Sequence, residues 1–235
     1  MNRTLPARAA EAGWSAVRCA ARLQGRLGGP GLPGGDRLPL FRLPRSHTPQ
    51  GRPLLALTFD DGPDPRWTPW LLDVLAEHQV TASFFLIGRQ VAAHPALAAR
   101  IAAAGHRLGN HSLDHPQPFS ARPAAELRRQ VLVTQELIAD ATGVLPDLFR
   151  APAGGWSEPV LRLLAGSGLR AVDWSVDPKD WGEPGAGRIA RRLLRSRPGD
   201  VVLCHDGGGD RSGTVQAVRA VLPVLRDRGV AFATP

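Results

Sequence analysis

LLALTFDDGPDPRWTPWLLDVLAEHQVTASFFLIG, residues 54–88, is the stretch on which the fold turns. LLALTF (54–59) and TASFFLIG (81–88) are apolar almost without interruption, the mark of strands buried on both faces rather than one. Between them WLLDVLAEH repeats its apolar residues at helical spacing, with Thr68 placed as a cap and Pro69 opening the first turn, where a missing N–H costs nothing. Strand, helix and strand in succession make a βαβ unit, and strands so joined run parallel.

The alternation continues to the C-terminus. A helix over about 95–104 ends at Gly105, HRLGNH reads as a strand, and a long helix over about 123–142 stops at Gly143. Then come LFRAP, a helix capped by Ser157 with Pro159 in its first turn, LRAVDWSV, a helix through RIARRLL, VVLCHD, a helix over 214–227, and VAFATP. Six or seven strands alternating with helices predict an α/β fold with a parallel sheet, and an enclosed (β/α) barrel suits the count.

The whole chain has 235 residues, 43% of them apolar, 21% charged and 6% aromatic, an ordinary globular composition with length for one or two domains. No stretch approaches the roughly 18 to 20 apolar residues that a bilayer span requires. The first thirty residues carry arginines and glycines where a signal peptide needs an apolar block. Cys19 and Cys204 lie far apart and outside any CxxC pattern, so they argue neither a disulfide framework nor a cysteine zinc site.

A formal charge of +8 and a pI near 11.2 suggest an anionic partner until the charges are located. Residues 1–52 hold nine Arg against Glu11 and Asp36, which is +7, and leave the remaining 183 residues at +1. The body is nearly neutral, so no specific nucleic-acid partner is expected. Residues 24–53 are dense in Gly, Pro and Arg without a period of 3.6 or 2, and read as linker or disorder. Residues 6–24 could form one short helix, either a surface-binding arm or a frayed extension. The expected organisation is thus an Arg/Gly/Pro-rich extension over 1–52 and a folded domain over 53–235.

Polar residues gather where (β/α) folds place their sites, at the C-terminal ends of strands. Asp60 and Asp61 follow LLALTF directly, and adjacent carboxylates repel unless a cation or base partner sits between them. An Asx turn before a helix accounts for one of the two but not the pair. His111 and His115 in NHSLDHP have the i, i+4 spacing that brings two imidazoles to one face of a helical turn. With one Asp oxygen they make a hydrolytic-type metal set with open positions, although HxxxH alone fits a capping or solvated pair equally well. His205-Asp206 ends VVLC and precedes three glycines that permit close backbone approach. His47, His78 and His94 sit in the linker or on helix surfaces, and His106 reads as a structural or solvated residue. Arg150 lies in FRAPAGGW, and Asp180 and Trp181 in DPKDW, where an isolated Arg or Asp is ordinarily a salt-bridge partner.

These residues occur in five motifs, TFDDGP (58–63), HSLDH (111–115), RAPAG (150–154), DPKDW (177–181) and LCH (203–205), and in that order the chain from about 53 to 235 resembles the polysaccharide deacetylases of carbohydrate esterase family 4, the NodB-homology domain. The resemblance implies a distorted (β/α) barrel of about seven parallel strands. It implies a divalent metal, usually zinc with cobalt or manganese as alternatives, and hydrolysis of acetyl groups from a glycan. By position, Asp61, His111 and His115 look like the metal ligands and Asp60 like the general base paired with Arg150. His205 looks like the general acid, with Asp180 orienting it and raising its affinity for a proton. Trp181 and Leu203 would line the slot for the acetyl methyl. Ala153 departs from the family, which carries an aromatic residue there; its backbone N–H, expected to help hold an oxyanion, survives the change, whereas a glycan-contacting ring is lost.

The resemblance leaves the bond open between an N-acetyl amide on chitin- or peptidoglycan-type chains and an O-acetyl ester on xylan-like ones. A catalytically inactive carbohydrate- or nucleic-acid-binding protein is the third reading. A monomer acting outside the cytoplasm or at the cell wall is expected from the resemblance, with cytoplasmic action as the alternative.

Overall fold

The computed structural model describes residues 38–235. Strand β1, Leu54–Asp60, is the hub: it pairs in parallel with β2 (Ser83–Leu86) on one side and β6 (Val201–His205) on the other. β3 (Arg107–Asn110), β4 (Leu148–Phe149) and β5 (Arg170–Ala171) continue outward from β2, and β7 (Ala231–Phe232) pairs with the start of β1. The sheet is seven-stranded, in the order β5-β4-β3-β2-β1-β6 with β7 on β1, and every pair is parallel.

Alternation along β1 explains its apolar run. Leu55, Leu57 and Phe59 enter the main core with residues of helices α1 (Thr68–Glu77) and α7 (Ser212–Asp227). The intervening Ala56 and Thr58 face the interior, where Ala56 packs with Phe85, Leu148, Val172 and Val201. Gly109 of β3 is register partner to Phe85, and a Cβ there would collide with the Phe85 ring. That glycine admits the aromatic ring to the barrel interior.

The other helices are α2 (Gly88–Ala93), α3 (Pro95–Ala103), α4 (Ala124–Thr142), α5 (Glu158–Gly166) and α6 (Ala186–Leu193). α2 was not expected. Ser157 sits at the cap of α5, but its hydroxyl makes no capping bond, and Pro159 near the helix start offers it no N–H.

The expected strand over LRAVDWSV is only two residues long, because the chain then leaves the sheet edge. Trp156 Nε1 donates to Asp173 Oδ2 at 2.9 Å and Arg150 Nη2 donates to the Asp173 carbonyl at 3.0 Å, drawing that residue inward. Val172 then bridges to Leu40 and Val176 to Val202, so residues 172–176 pass from the β5 edge to β6.

The N-terminal seam corrects the linker reading for residues 38–52. Pro39, Phe41 and Leu43 are buried at alternate positions, Leu43 N–H donates to Gly199 O at 2.8 Å, and the Arg42 guanidinium pairs with Asp200. This segment closes the barrel between β5 and β6. Its period-2 pattern spans too few residues to register against the surrounding Gly, Pro and Arg. The helix expected over residues 6–24, together with Cys19, lies outside the described residues, and Cys204 is buried in the core.

Candidate active site and metal centre

The C-terminal ends of β1 and β6 deliver Asp60 opposite His205 in register, so the two side chains share the barrel mouth. Asp61 is turned away from the strand by a left-handed backbone (φ 74°), a conformation that aspartate tolerates better than most non-glycine residues. The glycine run after His205 leaves the room that this turn needs. A Cβ on Gly208 would fall 2.8 Å from Asp61 Oδ2, and one on Gly207 would overlap the Asp61 carbonyl.

His111 and His115 converge on the same carboxylate. His111 Nε2 lies 3.5 Å and His115 Nε2 3.6 Å from Asp61 Oδ1, and the ring centroids are 5.0 Å apart. The spacing does not act through a helical turn as expected, because Ser112 (φ 70°) and His115 (φ 54°) are left-handed and residues 111–115 form a loop. Side chains shape that loop. Asn110 Oδ1 accepts the Ser112 N–H at 2.9 Å, Ser112 Oγ accepts the His115 N–H at 3.1 Å, and Gln130 Oε1 accepts the N–H groups of Leu113 and Asp114.

The three residues fit a divalent cation. Asp61 Oδ1 is buried and accepts no hydrogen bond, although two ring nitrogens face it. His111 Nδ1 is 2.7 Å from the Arg150 carbonyl, which can only accept; the proton therefore sits on Nδ1, and Nε2 presents its lone pair to the site. Burial lowers the His111 pKa to about 3, so the ring stays neutral, as a ligand must be. One ligand atom from each of the three lies within 4.8 Å of the others. Two imidazoles and one carboxylate leave open positions for water and substrate.

Arg150 is 0% exposed and therefore has to be fully paired. Nη1 donates to Asp60 Oδ1 at 2.7 Å and to Thr58 Oγ1 at 2.8 Å, and the guanidinium stacks 4.1 Å from the centroid of the Phe85 ring that Gly109 admits. Asp60 is raised from its ordinary value all the same, because burial outweighs the opposing pull of Arg150 and His205.

On the β6 side, His205 Nδ1 and Asp180 Oδ1 are 2.8 Å apart. Leu203 is the register partner of Thr58 and faces the interior beneath His205. Trp181 is 53% exposed with Lys179 Nζ 5.1 Å from its ring centroid, so it stands at the rim and does not close a slot. Ala153 is an exposed left-handed residue (φ 50°).

Several supporting residues carried no role in the site, or a different one, in the sequence reading. Thr68 lies inside α1 and does not cap it; its hydroxyl accepts the Asp64 N–H at 2.8 Å and donates to Asp206 Oδ2 at 2.5 Å. Asp206 is buried against Gly62, and burial raises its pKa to about 7. Arg211 donates to the carbonyls of Gly207, Gly208 and Asp180, tying the glycine run to the Asp180 segment. Gln130, Thr134 and Gln135 are polar residues on the buried stripe of α4, a signal legible in the helical period.

The polysaccharide deacetylase family model matches residues 47–172. A chitooligosaccharide deacetylase of Sinorhizobium fredii (strain NBRC 101917 / NGR234) is 44% identical over 205 residues, 81% of this chain and 93% of that protein. The crystal structure of the Bc1960 peptidoglycan N-acetylglucosamine deacetylase superposes with TM-score 0.77 at 36% identity, covering 83% of this chain and 89% of that one. A carbohydrate esterase family 4 pseudoenzyme from Bacillus anthracis gives TM-score 0.75 at 27% identity, covering 84% and 67%. The fold therefore hosts active and inactive members, and the residues at the barrel mouth have to carry the distinction. With the motifs, the barrel and these likenesses in agreement, the chain belongs to the polysaccharide deacetylase family, whose members depend on a divalent metal.

Proposed function

We propose that the protein hydrolyses N-acetyl groups from N-acetylglucosamine-containing glycans of chitooligosaccharide or peptidoglycan type, as a monomer acting at or outside the cell envelope. The observation that carries the catalytic reading is the unpartnered Asp61 Oδ1 facing two imidazole nitrogens, with Asp60 3.7 Å from one of them. Asp61, His111 and His115 would hold the ion, and a donor set of two nitrogens and one oxygen favours zinc. When bound, the ion supplies Lewis acidity that polarises a carbonyl and acidifies a water.

The chain's own residues do the proton work. Arg150 fixes Asp60 through Oδ1 and leaves Oδ2 toward the site, where Asp60 takes a proton from the attacking water. The new C–O bond forms first, with the carbonyl π pair moving to oxygen, and its return expels the amine, which departs poorly unless protonated. Asp180 holds the His205 Nδ1–H, so Nε2 is the nitrogen that gives a proton to the leaving amine. Leu203 offers an apolar wall and Trp181 a ring at the rim for the acetylated sugar.

Acetate release from chitooligosaccharides, acetylated peptidoglycan and acetyl-xylan tests the reading. Release from the first two is expected. Release from acetyl-xylan alone would favour the ester reading, and release from none would favour a binding protein of the pseudoenzyme kind.

A further inference from the structure

Trp67 and Trp70 stand at the start of α1, on the face of the barrel where β1 and β6 deliver Asp60, Asp61 and His205. Trp67 is held firmly. Its indole N–H donates to the Gly209 carbonyl at 2.9 Å, and the Arg66 guanidinium lies 5.4 Å from its ring centroid. Trp70 meets that ring edge-on, at 5.9 Å and 89°, and remains 59% exposed. A lone exposed apolar side chain needs no explanation, but a large ring oriented by a fixed second ring beside a catalytic mouth is a pre-organised surface.

The pair is continuous with the site. Gly209 ends the run that follows His205 and backs Asp61, and Arg211 ties the same run to the segment carrying Trp181. The charges near the pair and the adjoining Gly209 are Arg66 and Arg211 against Asp64, Asp210 and Glu183, a balance without the positive excess that a polyanion needs. An uncharged hexopyranose does suit it, because its axial C–H face is apolar and weakly positive and so matches the negative face of an indole.

We propose that Trp70, braced by Trp67, forms a distal subsite for a neutral sugar ring of the same glycan chain whose acetyl group is removed at the metal centre. The proposal rests on the deacetylase reading above. It makes Trp70 a determinant of chain length and not of chemistry.

Trp70→Ala and Trp70→Phe, with Leu145→Ala as a control at an exposed position in the loop entering the opposite end of the barrel, would be assayed on chitooligosaccharides of two to six units. Trp70→Ala should raise the KM for the hexamer about tenfold relative to the dimer, a loss of the size expected for one ring stack. Trp70→Phe should recover most of it, and Leu145→Ala should alter neither length. A rise equal for both lengths, or none, overturns the subsite. Titration of the dimer and hexamer into Asp60→Asn and Asp60→Asn/Trp70→Ala separates this from the deacetylase reading. If no acetate is released but Trp70→Ala still erases tighter hexamer binding, the subsite stands and the reaction assignment falls. Equal binding of the two lengths before Trp70 is changed overturns the subsite.

Discussion

Asp180 accepts three hydrogen bonds, and two of them come from His205. Oδ1 lies 2.8 Å from His205 Nδ1, while Oδ2 takes the His205 backbone N–H at 2.8 Å and the Thr214 hydroxyl at 2.9 Å. The carboxylate therefore fixes both the ring and the strand end that carries it. Burial alone would lower the His205 pKa, but the Asp180 hydrogen bond and the carboxylates of Asp180, Asp60 and Asp61 overcome it and raise the value to about 9.

An acid of that pKa is protonated throughout the neutral range, so kcat/KM should hold to about pH 8 and fall as pH rises through about 9. Asp180→Asn removes the stabilising charge and leaves the burial. The alkaline limb should then move down by more than one unit, and turnover at pH 8 should drop at least tenfold. A limb that stays near pH 9 in Asp180→Asn would unseat His205 as the group it reports.

Residues 38–52 read as linker or disorder from their composition, and the seam between β5 and β6 reverses that reading. Phe41 is 5% exposed, and Phe41→Ala should cost about 3 kcal/mol or more. Deleting residues 1–52 removes Phe41, Leu43 and Arg42, the ion-pair partner of Asp200, together and should cost more than the point substitution. Urea midpoints of both variants against the full chain check this; an unchanged midpoint for the deletion would show that the seam adds nothing.

What the sequence made legible follows from how each signal is carried. β1 could be read because burial on both faces forces a run in which five of six residues, Leu54 to Phe59, are apolar, and Asp60-Asp61 stood out as charges placed directly against that run. The 38–43 seam was illegible because its hydrogen-bond partners come from two distant strand edges, and so it needs no sustained pattern of its own. The spacing of His111 and His115 pointed to two rings that do converge, but not through the helical turn it suggested. Their convergence comes from Asn110, Ser112 and Gln130, whose roles appear only once α4 is packed against the loop. Thr68 and Asp206 meet across 138 residues, which no local reading spans.

Metal content should separate the two adjacent aspartates. Asp61→Ala and His111→Ala should each lose most of the bound ion, since either change leaves only two ligands. Asp60→Asn should retain about one ion per chain and lose turnover by about 10² to 10⁴-fold. Elemental analysis after gel filtration reads the first outcome; full retention in Asp61→Ala would move the site elsewhere.

His106 supplies a pH dependence independent of the catalytic site. Its Nδ1 accepts the Ala82 N–H at 3.2 Å, and burial lowers its pKa from 6.5 to about 4. Between those values the unfolded chain binds the proton and the folded one does not, so stability should fall as pH drops from 6.5 toward 4. His106→Asn keeps an acceptor near the same place without titrating and should flatten that limb in metal-free protein. Parallel curves for the two proteins would assign the pH dependence to other groups.

The sharpest separation of roles comes from His205 and the leaving group it would serve. His205→Ala should retain the metal, because Asp61, His111 and His115 are untouched. An amide nitrogen must be protonated before it departs, whereas a phenolate leaves from an aryl acetate unaided. Loss of a general acid should therefore slow N-acetyl hydrolysis by about 10² to 10⁴-fold and aryl acetate hydrolysis far less. Asp60→Asn should slow both, because each needs an activated water. Measuring the two variants on both substrates distinguishes acid from base without reference to structure, and equal losses for His205→Ala on amide and ester would leave His205 as a binding residue only.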